Sequence, residues 1–323
     1  MECIKIKKLI LASAIAAIAA NSATAATIYE DKGLTFKIKG DWQVQLRDNA
    51  SKTKDAEVEF DDLEIKNSII YDLGNGLTAY GQLDFGFKKA AEDEIDGDQL
   101  EEAYLGLKSH GVSVQVGKMD NAADDFGVEN AKENALGDDV FDEFGSVDGD
   151  DVIRFDADFD VAHVAISHEL EADGEKSENG ESTEIYVEGG FDAITLGAAY
   201  QTLKATPTSS SVDIWGVSAS YDAGFAEFGV DYGVSDQGGS NNDVAMTNLV
   251  ATFKASKTTK IAVGYVEHDY DAANSDEDAI YANVVYKFPA QKNVSVFAEI
   301  TNRDDDAGTD YELDVLAGMR IKF

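Results

Sequence analysis

Three kinds of chemistry are conceivable from the polar residues of this chain, and two of them lack the pattern they need. Nucleophilic or acid–base catalysis requires a base within hydrogen-bond reach of a reacting group. The nearest candidates, His163 and Ser167-His168, sit inside an alternating strand pattern, so no enzymatic activity and no cofactor are expected. Asp148-Gly-Asp-Asp151 and Asp304-Asp-Asp306 supply the oxygen ligands that Ca²⁺ prefers, but neither has the full spacing of a calcium loop. They read as solvated acidic loops, with no resident metal. The third chemistry is electrostatic. The stretch 119–149 carries Asp120, Asp124, Asp125, Glu129, Glu133, Asp138, Asp139, Asp142, Glu143 and Asp148 against the single base Lys132. Phe126, Val128, Leu136, Val140, Phe141 and Phe144 lie among them, so this long connection must pack against something.

What it packs against follows from the rest of the chain. In 311–323, Tyr311, Leu313, Val315, Ala317, Met319, Ile321 and Phe323 fall on one strand face. Glu312, Asp314, Gly318, Arg320 and Lys322 fall on the other, with Leu316 the apolar exception. A period of two over this length exceeds the usual soluble strand of about 5–6 residues. It matches the ~9–11 residues of a tilted membrane-crossing strand.

The N-terminal region agrees with export. Lys5, Lys7 and Lys8 precede an apolar run at 9–20, and Ala23-Thr-Ala25 is a small-residue cleavage site. Residues 1–25 are expected to be a signal peptide, with 26–323 as one domain and no linker. No later stretch approaches the ~18 apolar residues of a spanning helix, so any membrane crossing must be made by a closed barrel. Cys3 is the sole cysteine and lies in the signal region, which excludes disulfides and thiol chemistry from the remainder. The formal charge of the chain is −37. That excludes nucleic-acid binding, which needs a basic surface.

Alternation and turn residues predict sixteen strands. They cover 35–47, 57–73, 77–87, 99–110, 112–118, 150–157, 161–169, 182–189, 193–203, 212–221, 226–235, 243–254, 260–269, 278–288, 293–303 and 311–323. The strand at 57–73 changes parity near Asp61, which predicts a bulge. Short connections alternate with long polar ones, as in a bacterial outer-membrane barrel with an even number of strands. Tyr71, Phe87, Tyr200, Tyr221 and Phe288 near strand ends suit its aromatic girdles.

At this point the chain resembles the general bacterial porins. The likeness is carried by Ala26-Thr-Ile-Tyr-Glu-Asp-Lys-Gly33, Ala79-Tyr-Gly-Gln-Leu-Asp-Phe-Gly-Phe87, Ala103-Tyr-Leu-Gly-Leu107, Asp139-Val-Phe-Asp-Glu-Phe-Gly145 and the terminal Phe323. The resemblance implies an all-β, transmembrane 16-stranded antiparallel barrel with a long inward-folded third loop, assembled as a homotrimer. It implies that Phe323 is the residue by which the assembly machinery recognises the barrel. In the family, loop carboxylates face basic residues across the pore. The loop side carries over onto Asp139 and Glu143. The wall bases fall on Asp41, Asp62 and Glu101, and Asp84 matches a family carboxylate. Arg154 lies near the family's sixth-strand Arg without aligning to it.

A lumen lined by carboxylates concentrates cations and repels anions. The expected function is passive, cation-preferring diffusion of ions and small hydrophilic solutes through a water-filled barrel in the outer membrane of a Gram-negative bacterium. A solute-specific channel is one alternative, and a barrel acting mainly as a surface adhesin or receptor is another. For the first, the tryptophans are only Trp42 and Trp215, and Trp42 has lipid-facing parity. Expected partners are outer-membrane lipid and lipopolysaccharide, the latter through divalent cations bridging acidic loops.

Overall fold

The computed structural model describes residues 25–50, 55–91, 100–133, 136–172, 180–238, 243–271, 275–309, 311 and 313–323. Residues 1–24, which carry most of the expected signal peptide, lie outside them.

Alternating strands joined by tight turns on one rim can close only by pairing the last with the first. The described strands are β1 (Ala26–Asp31), β2 (Leu34–Asp48), β3 (Glu57–Gly74), β4 (Leu77–Gly86), β5 (Leu100–Ser109), β6 (Val112–Asp120), β7 (Asp148–Asp158), β8 (Ala162–Glu169) and β9 (Ser182–Phe191). They continue with β10 (Ile194–Leu203), β11 (Val212–Asp222), β12 (Ala226–Asp236), β13 (Val244–Lys254), β14 (Thr259–Tyr270), β15 (Glu277–Phe288), β16 (Gln291–Asp305) and β17 (Asp314–Lys322). From β2 to β17 each strand pairs antiparallel with its chain neighbour, and β17 returns to β2 from Val315↔Asp48 to Lys322↔Asp41. The ring is a closed 16-stranded barrel, and each of the sixteen strands read from the sequence overlaps one of its members. Among the described residues no helix is long and apolar enough to cross a membrane.

The extra strand, β1, was not expected. It runs from Ala26↔Ile38 to Asp31↔Leu34 along the first half of β2, and β17 occupies the second half. Phe323 fills the join, exchanging backbone hydrogen bonds of 2.7 and 2.9 Å with Gly40. Six residues with one partner strand give too little alternation to be recognised alone.

Turn chemistry fixes the short rim. His110 and Gly111 both have positive φ (51° and 84°), the type I′ geometry that suits a two-residue hairpin. Period-two alternation then sorts the faces. On β2, Asp41, Gln43 and Gln45 point inward and are buried, while Trp42, Val44 and Leu46 are 43%, 39% and 54% exposed on the outside. This is the inverted pattern of a membrane barrel. Tyr71, Tyr200, Tyr221 and Phe288 are exposed near the rims, whereas Phe87 is half-buried.

The expected parity change is a bulge. Trp42 pairs with Leu63 and Val44 with Phe60, so Asp61 and Asp62 both lie opposite Gln43. A second bulge follows on β5, where Asp84 pairs with Glu102 but Phe85 pairs with Leu100, leaving Glu101 as the extra residue.

The apolar core sits inside the barrel. Ala122, Ala123, Phe126, Leu136, Val140 and Phe141, all between β6 and β7, pack with inward residues such as Tyr186, Ile214, Met246, Val266 and Tyr281.

Candidate pore constriction

Residues 121–133 and 136–147 are held against the inner wall by bonds to widely separated strands. Val128 N donates to Asp231 on β12 (3.0 Å) and Asn130 N to the Tyr281 hydroxyl on β15 (3.1 Å). Lys132 N and Glu133 N donate to the two oxygens of Glu299 on β16 (2.7 and 3.0 Å). On the way back Asn248 of β13 donates to Asp138 O (2.8 Å), and Ser146 N donates to Gln201 on β10 (3.2 Å). Both stretches therefore lie inside the barrel, lining the wall from β8 round to β16. The polar residues of β2–β5 and β17 face it.

Asp139 and Glu143 occupy different settings on this loop. Asp139 is buried and caps the helical turn Val140–Phe144, its Oδ1 accepting from Phe141 N (2.7 Å) and Asp142 N (3.4 Å). Gly127, at φ 107°, makes room: a Cβ there would lie 2.7 Å from Asp139 Oδ2. Burial, with Asp142 adding to it, raises the Asp139 pKa. Glu143 is exposed and lies over Gly137. Burial pushes Asp124 up to about 7, helped by Asp120, and pushes Glu129 up to about 8, helped by Asp138. Burial and then the Arg320 guanidinium push Lys132 down.

Asp41 and Asp62 are brought together on the opposite wall, and β17 supplies bases that strand pattern alone did not assign to them. Arg320 donates to Asp41 through Nε (2.8 Å) and Nη2 (2.6 Å), and Nη2 also reaches Asp62 (2.5 Å). Lys322 Nζ is 2.7 Å from Asp41. The neighbouring Asp61 accepts a hydrogen bond from Gln43.

Asp84 and Glu101 belong to a second group centred on Lys66 of β3. Its Nζ lies 2.6 Å from Asp84, 3.5 Å from Glu64 and 3.6 Å from Glu102. Glu101 folds over Gly86 towards the same place. Farther along, Arg47 holds Asp314 (2.7 Å) and Glu133 (3.1 Å), tying the loop to β2. Arg154 is also on the lumen side. It bonds Asp125 and Asp156 and donates to Asn121 O (2.6 Å), clamping the loop's start.

Lys66, Glu64, Glu102, Arg320 and Lys322 are thus neighbours of the assigned acids that sequence reasoning missed. Strand parity placed Arg320 and Lys322 on the polar face, but pairing them with Asp41 needs the closure register. Lys66 faces Glu64, Asp84 and Glu102, and Arg47 faces Glu59 (3.9 Å) besides Glu133 and Asp314, so in each group one base meets three carboxylates.

The barrel is thus inverted, with its apolar face outside, a loop inside and ionisable groups on the inner wall. Residues 12–308 match the sequence profile of a family described as Gram-negative porin. The chain belongs to the Gram-negative porins. It is accordingly a transmembrane β-barrel of the outer membrane. A relative described as a monosaccharide porin of Halomonas sp is 29% identical over 254 residues, covering 72% of this chain and 66% of that one. The major outer membrane protein of Halomonas elongata matches with the same figures. The chain thus spans just under two thirds of the length of these relatives. Among solved structures, OmpT of Vibrio cholerae superposes with a TM-score of 0.75 at 19% identity, covering 93% of this chain and all of that one. The anion-selective porin of Comamonas acidovorans gives 0.72 at 14%, covering 90% of this chain and all of that one. At these identities the likeness is one of fold.

Proposed function

We propose that this porin conducts small hydrophilic solutes passively and prefers cations. The observation that carries the reading is the surplus of carboxylates over bases in the groups that face the lumen, most clearly around Lys66, where Glu64, Asp84 and Glu102 share one ammonium. Fold alone does not decide the sign, since a porin described as anion-selective has the same architecture. In this reading Asp41, Asp62, Asp84 and Glu101 form the wall side of the passage. Arg320 and Lys322 offset the first two, so Asp84 and Glu101 carry more of the preference. On the loop side, Glu143 acts through its charge and Asp139 chiefly by shaping the loop. Two unit charges 4 Å apart interact by roughly 4 kcal/mol at an effective dielectric near 20, well above the thermal scale of ~0.6 kcal/mol. Salt-gradient recording on single channels tests the reading: a reversal potential of cationic sign supports it.

A homotrimer is proposed with it, because a Vibrio cholerae neighbour is described in a trimer form. The outward apolar faces would meet lipid and sister subunits, and Phe323 would act as the assembly signal.

A second reading has a specific observation behind it. Tyr80, Gln82, Gln115, Ser113 and Asp156 line a cavity of about 480 Å³ on the inner wall. That volume lies in the range of small-molecule sites, about 300–1,000 Å³. With a relative described as a monosaccharide porin, the cavity favours sugars among the permeating solutes. Liposome swelling with monosaccharides against size-matched charged solutes distinguishes selectivity for sugars from general diffusion.

A further inference from the structure

Towards the short rim, one sector of the wall reverses the charge balance of the chain. Residues 259–264 of β14, 283–288 of β15, 291–297 of β16, 318–322 of β17 and 34–40 of β2 adjoin one another there. They contain Lys and Arg but no Asp or Glu, in a chain with 63 acids and 26 bases. Random scatter would leave acids in the majority here too.

Strand pairing turns these bases inward. Lys37 lies opposite Ser68, which lines the inner-wall cavity, and Lys39 lies opposite Lys66. Lys287 lies opposite Ser295, and Ser295 opposite Arg320. Lys322 pairs with Asp41, and Lys260 shares its strand face with the buried Ala262.

The positive charge of this sector is not balanced from within. Arg320 and Lys322, at its upper edge, hold Asp41 and Asp62. Among the described residues, Lys37, Lys39 and Lys260 meet no carboxylate. Lys39 directly opposes a second lysine, an unfavourable cross-strand pairing. Lys287 in turn feels the positive charges of Lys260, Lys322, Lys132 and Arg320. We infer that Lys37, Lys39, Lys260 and Lys287 form a binding site for linked phosphate anions at the short-turn, periplasmic mouth of the lumen.

The spacing favours linked phosphates over a single one. Lysine ammoniums act as point charges towards phosphate. From β15 to β2 the wall spans three strand spacings, roughly 14 Å at ~4.8 Å each. One phosphate cannot reach across that distance, whereas a short chain of them can meet several ammoniums at once. The carboxylates assigned to cation preference lie on β3–β5, so the two sectors coexist in one lumen. The inference rests on the reading that the lumen is water-filled, but binding is measured without conduction.

The test is equilibrium dialysis of the detergent-extracted full chain against radiolabelled tripolyphosphate. Chelator is present, so that no divalent cation bridges the anion to acidic loops. Roughly 0.1 M KCl screens isolated surface lysines. Saturable binding of one anion per chain is expected. Lys39→Gln and Lys260→Gln, each at a position without a carboxylate partner, should weaken it about tenfold with the barrel's strand spectrum intact. Lys204→Gln, at the long-loop end of the barrel, should leave the Kd unchanged. Orthophosphate should compete at least about tenfold less well. Absence of saturable uptake by the unmutated chain overturns the inference. So does an unchanged Kd in folded Lys39→Gln and Lys260→Gln, or an equal loss in Lys204→Gln. Citrate competing as well as tripolyphosphate would overturn linked phosphate as the ligand class. A potassium reversal potential on the same preparation, without phosphate, reports separately on cation preference.

Discussion

Arg320 on the last strand grips Asp41 on the first ring strand with two nitrogens, at 2.8 and 2.6 Å, across the seam that closes the barrel. The pair neutralises an acid that, read alone, would make the wall at that point strongly negative. It also joins the two ends of the ring through side chains as well as through the backbone ladder.

Removing the guanidinium should therefore shift selectivity and stability together. In Arg320→Gln, Asp41 keeps Lys322 at 2.7 Å, so the barrel is expected to fold. The lost charged hydrogen bonds should cost about 1–3 kcal/mol. The cation/anion permeability ratio should rise, and in Asp62→Asn it should fall. Urea-gradient gel mobility and bilayer recording read the two effects. An unchanged ratio in both variants would place these groups away from the narrow point.

The backbone seam has its own test. A Cβ on Gly40 would lie 2.2 Å from Phe323 Cζ, and the Phe323 ring stacks edge-on against Trp42 at 5.3 Å. Gly40→Val should lower the unfolding midpoint, corresponding to about 1–3 kcal/mol of overpacking. Adding Phe323→Ala removes the obstacle, so the double variant should lose less than the sum of the singles. Strict additivity would mean that the ring does not seat on Gly40.

Asp139 separates structure from charge. Asp139→Asn retains an acceptor for Phe141 N and should leave the loop docked. Asp139→Ala removes the cap and should cost about 1 kcal/mol, seen as faster amide exchange across 139–145. A large selectivity change in Asp139→Asn with exchange unaltered would instead assign its charge a direct part in permeation.

Loop acids also give a pH dependence with a definite sign. Asp124 and Glu129 are raised to about 7 and 8 in the docked loop, above their ordinary values near 4. The docked state binds their protons more tightly than a released loop does. Docking is therefore strongest below the ordinary carboxyl range and weakens as pH rises through 7 to 8. Over the same window these groups gain negative charge. Cation preference should therefore climb from about pH 6 to pH 9. Recordings that stay flat across this range would contradict the burial of both acids.

Much of the barrel was legible because each strand carries its own face pattern. Trp42, Val44 and Leu46 against Asp41, Gln43 and Gln45 suffice to orient β2, and the parity break at Asp61 betrays the bulge. The chemistry of the wall was less legible because it depends on register between distant strands. Nothing local to Asp41 announces Arg320, which lies 279 residues away along the chain. Lys66 sits two residues from Glu64, yet its bonds to Asp84 and Glu102 follow from the pairings Lys66↔Asp84 and Asp84↔Glu102. β1 escaped notice because a six-residue strand pairing with half of one neighbour has almost no pattern to read.

The central claim, cation preference from surplus lumen carboxylates, is tested most directly by the zero-current potential of single channels across a tenfold KCl gradient at neutral pH. The account predicts that the dilute side becomes positive, because potassium crosses faster than chloride, and that Glu101→Lys brings the potential towards zero or past it. A potential of zero, or one with the dilute side negative, in the unmutated channel would contradict it.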